Sequence, residues 1–133
     1  MPGSLDLNAR DNIRTGTIAA QTVSNAGTYD LVATITNRFG GGIVTITGIV
    51  AGAGPLTGLK LSVAATQGGT HKDRLVDADF NTPTRLLPFC TTNPHLATSG
   101  STFQFELDLT GVAEVKLYGK SSNGATIAIE AGC

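Results

Sequence analysis

Hydrophobic residues recur at every second position over several short stretches of this chain, and no run of ten or more residues keeps the spacing of an amphipathic helix. The C-terminal third shows this most cleanly. Phe103, Phe105, Leu107 and Leu109 alternate with Thr102, Gln104, Glu106 and Asp108, and after Gly111 the residues Ala113, Val115 and Leu117 alternate with Glu114 and Lys116. Ile127 and Ile129 then sit among Thr126, Ala128 and Glu130. A period of two puts successive side chains on opposite faces of a pleated strand. Three strands with short polar turns between them predict an antiparallel meander.

Upstream, 17–23 reads as a first strand closed by the turn residues of 24–27, and 29–37 places Tyr29, Leu31, Ala33 and Ile35 on one face. Residues 43–51 are apolar at odd and even positions alike, which predicts a strand buried on both sides in the middle of a sheet. Leu59, Leu61, Val63 and Ala65 alternate with Lys60, Ser62 and Ala64, and glycine clusters at 40–42 and 52–54 punctuate the series. Residues 1–16 hold no sustained alternation. Leu5, Leu7 and Ile13 stand alone among Asp6, Asn8, Arg10, Asp11, Asn12 and Arg14, the pattern of an extended arm with apolar anchors. Between 67 and 100 the alternation fails again, over a proline-bearing excursion with room for short strands at 74–78 and 85–89. The expected architecture is all-β: an antiparallel β-sandwich, jelly-roll-like, of 7–9 short strands. It divides into an N-terminal extended arm (1–16) and a sandwich domain (17–133) carrying the irregular excursion at 67–100.

Composition narrows the function. Charged residues make up 14% of the chain, where an ordinary soluble domain has about 25%. Surfaces buried in an assembly lose charge at their centres, because desolvating a charge is costly, so the low value leans toward a protein partner. Net charge is −1 and the cations are scattered singly, which excludes the basic stripe of a nucleic-acid binder. No stretch approaches the roughly 18 apolar residues of a membrane-spanning helix. The polar start lacks the apolar run of a secretory signal, so synthesis in the cytoplasm is expected, with Cys90 and Cys133 as free thiols.

The densest polar group is His71, Asp73, Asp77, Asp79 and His95, which raises a metal site or a carboxylate pair. The two histidines lie far apart in sequence, and Asp-Ala-Asp is common in solvated loops, so neither spacing is diagnostic. Cys90 with His95 lacks any neighbour to activate a thiolate. Gly52-Ala53-Gly54 opens no helix that would cradle phosphate. A carbohydrate site would want an aromatic platform, and only Tyr118, Phe39, Phe80 and Phe89 are candidates for display. No catalytic, metal-binding or cofactor-binding residue is therefore assigned, and the chain is expected not to be an enzyme.

The closing stretch, STFQFELDLTGVAEVKLYGKSSNGATIAIEAG, resembles the final hairpins of the small β-sandwich head decoration (cement) proteins of tailed bacteriophages. The points of likeness are Leu109-Thr110-Gly111 at a strand end, the alternating charges Glu114, Lys116 and Lys120, and the 121–124 turn before a short last strand. GGIVTITGIVAGAG and TGLKLSVAAT fit the same style. Small RNA-phage coat proteins have a similar length but finish in helices. The resemblance implies a virion protein made in the host cytoplasm and carried on the capsid surface. Its partners would be the major capsid protein and two further copies in a homotrimer, stapling neighbouring capsid subunits with no nucleic acid or membrane involved. The arm would then supply interface residues, Leu5, Leu7, Arg10, Ile13 and Arg14. Two other readings stand beside it: a tail or fibre component, and a ligand-binding β-sandwich such as a carbohydrate-binding module.

Overall fold

A computed structural model describes residues 3–8, 15–38, 42–52, 56, 58–77 and 102–132, with backbone alone at 73–77, 102, 103 and 105. Nine strands lie among them: β1 (Gly3–Leu7), β2 (Thr15–Val23), β3 (Asp30–Asn37), β4 (Ile43–Ala51), β5 (Gly58–Ala64), β6 (Lys72–Asp77), β7 (Thr102–Asp108), β8 (Glu114–Lys120) and β9 (Ala125–Gly132). Sheet I runs β1-β3-β8-β5-β6 and sheet II runs β2-β9-β4-β7. Every pairing is antiparallel except that of β1 with β3. From β2 onward each strand is followed by one in the opposite sheet, apart from the paired neighbours β5 and β6. Two four-stranded sheets ordered 2-9-4-7 and 3-8-5-6 are the wiring of a jelly roll. The sandwich expected from the alternation is present, with β1 added at one edge.

The meander is not. β7 pairs β4, β8 pairs β3 and β5, and β9 pairs β2 and β4, so no two of the last three strands are neighbours. Alternation shows that a strand has one apolar face; it does not show which sheet that face comes from. Backbone bonds in the connection decide it. The Leu109 amide donates to the Gly42 carbonyl beside β4, whereas the Ala113 amide donates to Ala64 and the Ala113 carbonyl accepts from Asn37, both in sheet I. The chain changes sheets within those few residues.

The inner faces meet in one core. Val44, Ile46 and Val50 of β4, Val115 and Leu117 of β8, Ile127 and Ile129 of β9, and Leu59 and Leu61 of β5 are at most 1% exposed. Each such side chain contributes about 1.5–3 kcal/mol relative to remaining in water. Two strands depart from their expected faces. In β3 the register against β8 slips between Leu31 and Ala33, so Val32 and Ala33 are both buried and Leu31 is only half-buried. β4 is an interior strand, as expected, but only one of its faces is covered: Ile43 is 59% exposed and Ile49 39%.

The N-terminal segment is the largest revision. Rather than standing off as an arm, Gly3–Leu7 joins sheet I parallel to β3, with Leu5 opposite Ile35 and Leu7 opposite Asn37. Leu7 is fully buried in the core and Leu5 packs partly against it. Leu7 is thus part of the domain's own interior and not available as a contact in this state. Glycines let β1 lie this close to the facing β2: a Cβ on Gly3 would run into Ile18 Cγ2, and one on Gly16 into Leu5 Cδ1. The strand is held at its end by the Arg38 amide donating to the Leu7 carbonyl (2.7 Å) and by the Arg38 guanidinium 3.0 Å from the Asp6 carboxylate. That pair is solvent-exposed on both sides and contributes at most about 1 kcal/mol, so the burial of Leu7 dominates. Arg10, Ile13 and Arg14 lie outside the described residues, as do Asp79, Cys90, His95, Cys133 and the expected strand at 85–89. Of the 67–100 excursion, 67–77 is described, and its first expected strand is β6. Leu7→Ala should lower unfolding stability by about 2–4 kcal/mol in urea titration; a loss below about 0.5 kcal/mol would show that β1 is not integral to the core.

Candidate functional site

Of the polar residues singled out in sequence, His71 is the one whose side chain is described. It follows a turn in which Gly68, at φ +71°, lets the chain reverse and the Gly69 amide bond back to the Thr66 carbonyl. The reversal brings the Gly68 amide to Glu114 Oε2 (3.3 Å) and His71 Nε2 to Glu114 Oε1 (3.0 Å). Nε2 is at ion-pair distance but lacks the alignment of a hydrogen bond. Nδ1 lies 3.0 Å from the Gly69 carbonyl, which only accepts, so that nitrogen carries a hydrogen. The imidazole thus stands between the Gly69 carbonyl and the Glu114 carboxylate, and the buried Ser62 hydroxyl has no hydrogen-bond partner among the described residues. Asp73 and Asp77 are placed by backbone pairing with Ser62 and Leu59. Among the described residues no three His, Cys, Asp or Glu side chains gather as a metal would require.

This cluster is a clamp. It folds the 65–71 turn over the outer side of sheet I, where Glu114 and Ser62 are buried polar residues. Glu114→Ala would leave the Gly68 amide without its acceptor and remove the carboxylate beside the imidazole, at about 1–3 kcal/mol. The expected readout is a lower urea midpoint with faster amide exchange at Gly68; unchanged exchange there would refute the clamp.

The two outer faces carry the remaining chemistry, and they differ. On sheet II, cross-strand register aligns Thr17, Glu130, Thr47 and Gln104 in one row, the Gln104 amide donating to Thr47 Oγ1 at 2.9 Å. The next row is Thr15, Gly132, Thr45 and Glu106. Gly132 has no side chain, so the face sinks there into an open trough of about 550 Å³, walled by threonines and by exposed Glu130. Ile43, Ile49, Ala51, Thr126 and Ala128 continue the face. Its carboxylates are Glu106, Asp108 and Glu130. Among the described residues no Lys or Arg lies on sheet II.

Sheet I carries both signs: the carboxylates Asp6, Asp30, Asp73, Asp77 and Glu114 share its strands with the lysines. Lys60, Lys72, Lys116 and Lys120 all belong to β5, β6 and β8. Lys60 Nζ stands 4.5 Å from the Tyr118 ring centroid and 5.2 Å from that of Tyr29, and Lys120 Nζ lies 5.1 Å from Tyr29. Such cation–π contacts contribute about 0.5–1 kcal/mol each at a half-exposed surface. Lys116, on the middle strand, is flanked by Thr34 and Ser62. The sequence pattern directs attention to the arm and the excursion, not to these faces. Their signals were in the sequence: a strand apolar at both parities, and lysines confined to the segments that became sheet I.

Sandwich wiring and two outer sheet faces define a jelly-roll module. No protein-family model matches the chain, and no curated protein sequence matches it. Solved structures similar to it include the SPBc2 prophage-derived protein YomS (12% identity, 90% of this chain and 95% of that one, TM-score 0.45). Others are the pre-peptidase C-terminal domain of a Bacillus anthracis collagenase (10%, 98% and 94%, 0.48) and CorA, a surface-associated copper-binding protein of Methylomicrobium album BG8 (10%, 99% and 98%, 0.49). At these identities the fold assignment stands on the sheet order itself, and the neighbours' roles are their own.

Proposed function

We propose that this protein is a structural component of a phage virion: a decoration protein on the outside of the capsid that binds the major capsid protein, staples neighbouring subunits, and works as a homotrimer by binding rather than by chemistry. The observation that carries the reading is the outer face of sheet II. It presents threonines, alanines and two exposed isoleucines, Ile43 and Ile49, with no cation among the described residues. A sheet face of that kind is cheap to desolvate, and charge depletion around exposed aliphatics marks the centre of a protein interface. The sequence resemblance supplies the partner. The arm's part in it is reduced, since Leu7 is core and Leu5 half-buried, which leaves Arg10, Ile13 and Arg14 as its candidates.

The trough also has the outline of a sugar site, with hydroxyl and carboxylate walls. No aromatic side chain lines it among the described residues, so stacking on a sugar ring is missing and assembly is the better-supported use. Co-sedimentation with mature capsids should recover the protein in the pellet. Ile43→Asp combined with Ile49→Asp should lower that binding at least tenfold, about 1.4 kcal/mol or more, with little change in melting temperature because both positions are exposed. Failure of the wild-type protein to bind any capsid of its own phage, or full binding by the double variant, would overturn the reading.

A further inference from the structure

The trough at Gly132 sets a carboxylate beside several hydroxyls. We infer that it is a socket for an arginine side chain presented by the protein that covers sheet II. This rests on the assembly reading above, and it names the chemical group that the capsid protein brings to the face.

Register shapes the socket. Gly132 stands between Thr15 of β2 and Thr45 of β4, whose backbones are two interstrand spacings, about 10 Å, apart. With no side chain between them, the gap is a slot for one flat group. Glu130 lies two residues along β9, about 7 Å away, on the same outward side. In the opposite direction Ile43, the next outward residue of β4 after Thr45, is 59% exposed and offers an apolar wall for an alkyl stem. Among the described residues, the side chains of Glu130, Thr15, Thr17 and Thr45 have no hydrogen-bond or ion-pair partner.

Charge selects a cation. The described strands of sheet II carry Glu106, Asp108 and Glu130 and no Lys or Arg, so the face attracts basic groups and repels acidic ones. Hydration then selects guanidinium over ammonium. An ammonium holds its water strongly, whereas the guanidinium fork sheds water at lower cost and gives a carboxylate two parallel hydrogen bonds. Its remaining N–H groups need acceptors, which the threonine hydroxyls provide. While the trough is open to solvent such a pair contributes little; a partner laid over sheet II excludes water and strengthens it.

A paired comparison on capsids tests the socket. Binding of the wild-type chain and of Glu130→Gln is measured on untreated capsids and on capsids whose arginines are blocked with phenylglyoxal. Glu130 is exposed, so Glu130→Gln is expected to fold, which circular dichroism checks. On untreated capsids the variant should bind about tenfold more weakly than wild type. Arginine blocking should weaken the wild-type chain by a similar factor and leave Glu130→Gln nearly unchanged, because both alterations remove the same contact. Full binding by Glu130→Gln, or an equal loss for both chains on arginine blocking, would overturn the socket while leaving capsid binding intact. The same pattern produced by lysine acetylation instead, or self-association of the free chain that depends on Glu130, would also overturn it by naming a different occupant. A wild-type chain that never pellets with capsids refutes the assembly reading itself, and the socket with it.

Discussion

The structure depends on sending consecutive strands to opposite sheets, so that the single apolar face of each strand closes on the face of another. β8 and β9 show the constraint at its tightest. They are joined by a short turn, yet β8 lies inside sheet I between β3 and β5 while β9 lies inside sheet II between β2 and β4. Leu117, Ile127 and Ile129 are fully buried as a result. The sheets come close enough at Gly119 that a Cβ there would stand 3.0 Å from Ile127 Cδ1 and 3.3 Å from Val23 Cγ2. With the central strands fixed in this way, β1 covers the seam at one edge, and every odd-numbered residue of β4 from 43 to 51 must point outward.

The same wiring sorts the lysines. β5, β6 and β8 carry the lysines and share sheet I, whereas β4, β7 and β9 share sheet II with three carboxylates and a run of hydroxyls. The segregation by face arises from the order in which strands alternate between sheets; along the chain, positive and negative residues are interspersed. Sheet II is thereby left without a cation among the described residues, while sheet I carries both signs. The buried polar residues serve a separate purpose. His71 and Glu114 hold a turn against sheet I.

How much could be read beforehand follows from what alternation encodes. β7, β8 and β9 were legible as strands because their apolar residues keep a strict period of two. Their pairing was not, since a hairpin and a sheet-to-sheet crossing leave the same pattern. β3 broke the expected face at Val32, where a bulge adds a residue that only cross-strand register reveals. β1 was illegible for a different reason. Five residues with two leucines look like a frayed end, and what orders them is the non-local fit of Leu7 into the core and of Gly3 and Gly16 at the crossing. On the functional side, low overall charge leans toward a protein partner without saying where on the molecule it would bind. Locating those faces needed the strand order, because Thr17, Thr47 and Glu130 are brought into one row from three distant segments.

The central claim is that the outer face of sheet II is buried against protein when this module does its work. Residue-resolved hydroxyl-radical footprinting of the free protein and of the assembled, particle-bound form tests it at Ile43 and Ile49, which are 59% and 39% exposed in the free chain. The account predicts that oxidation at both isoleucines falls several-fold on assembly. Equal oxidation in the two states would contradict it.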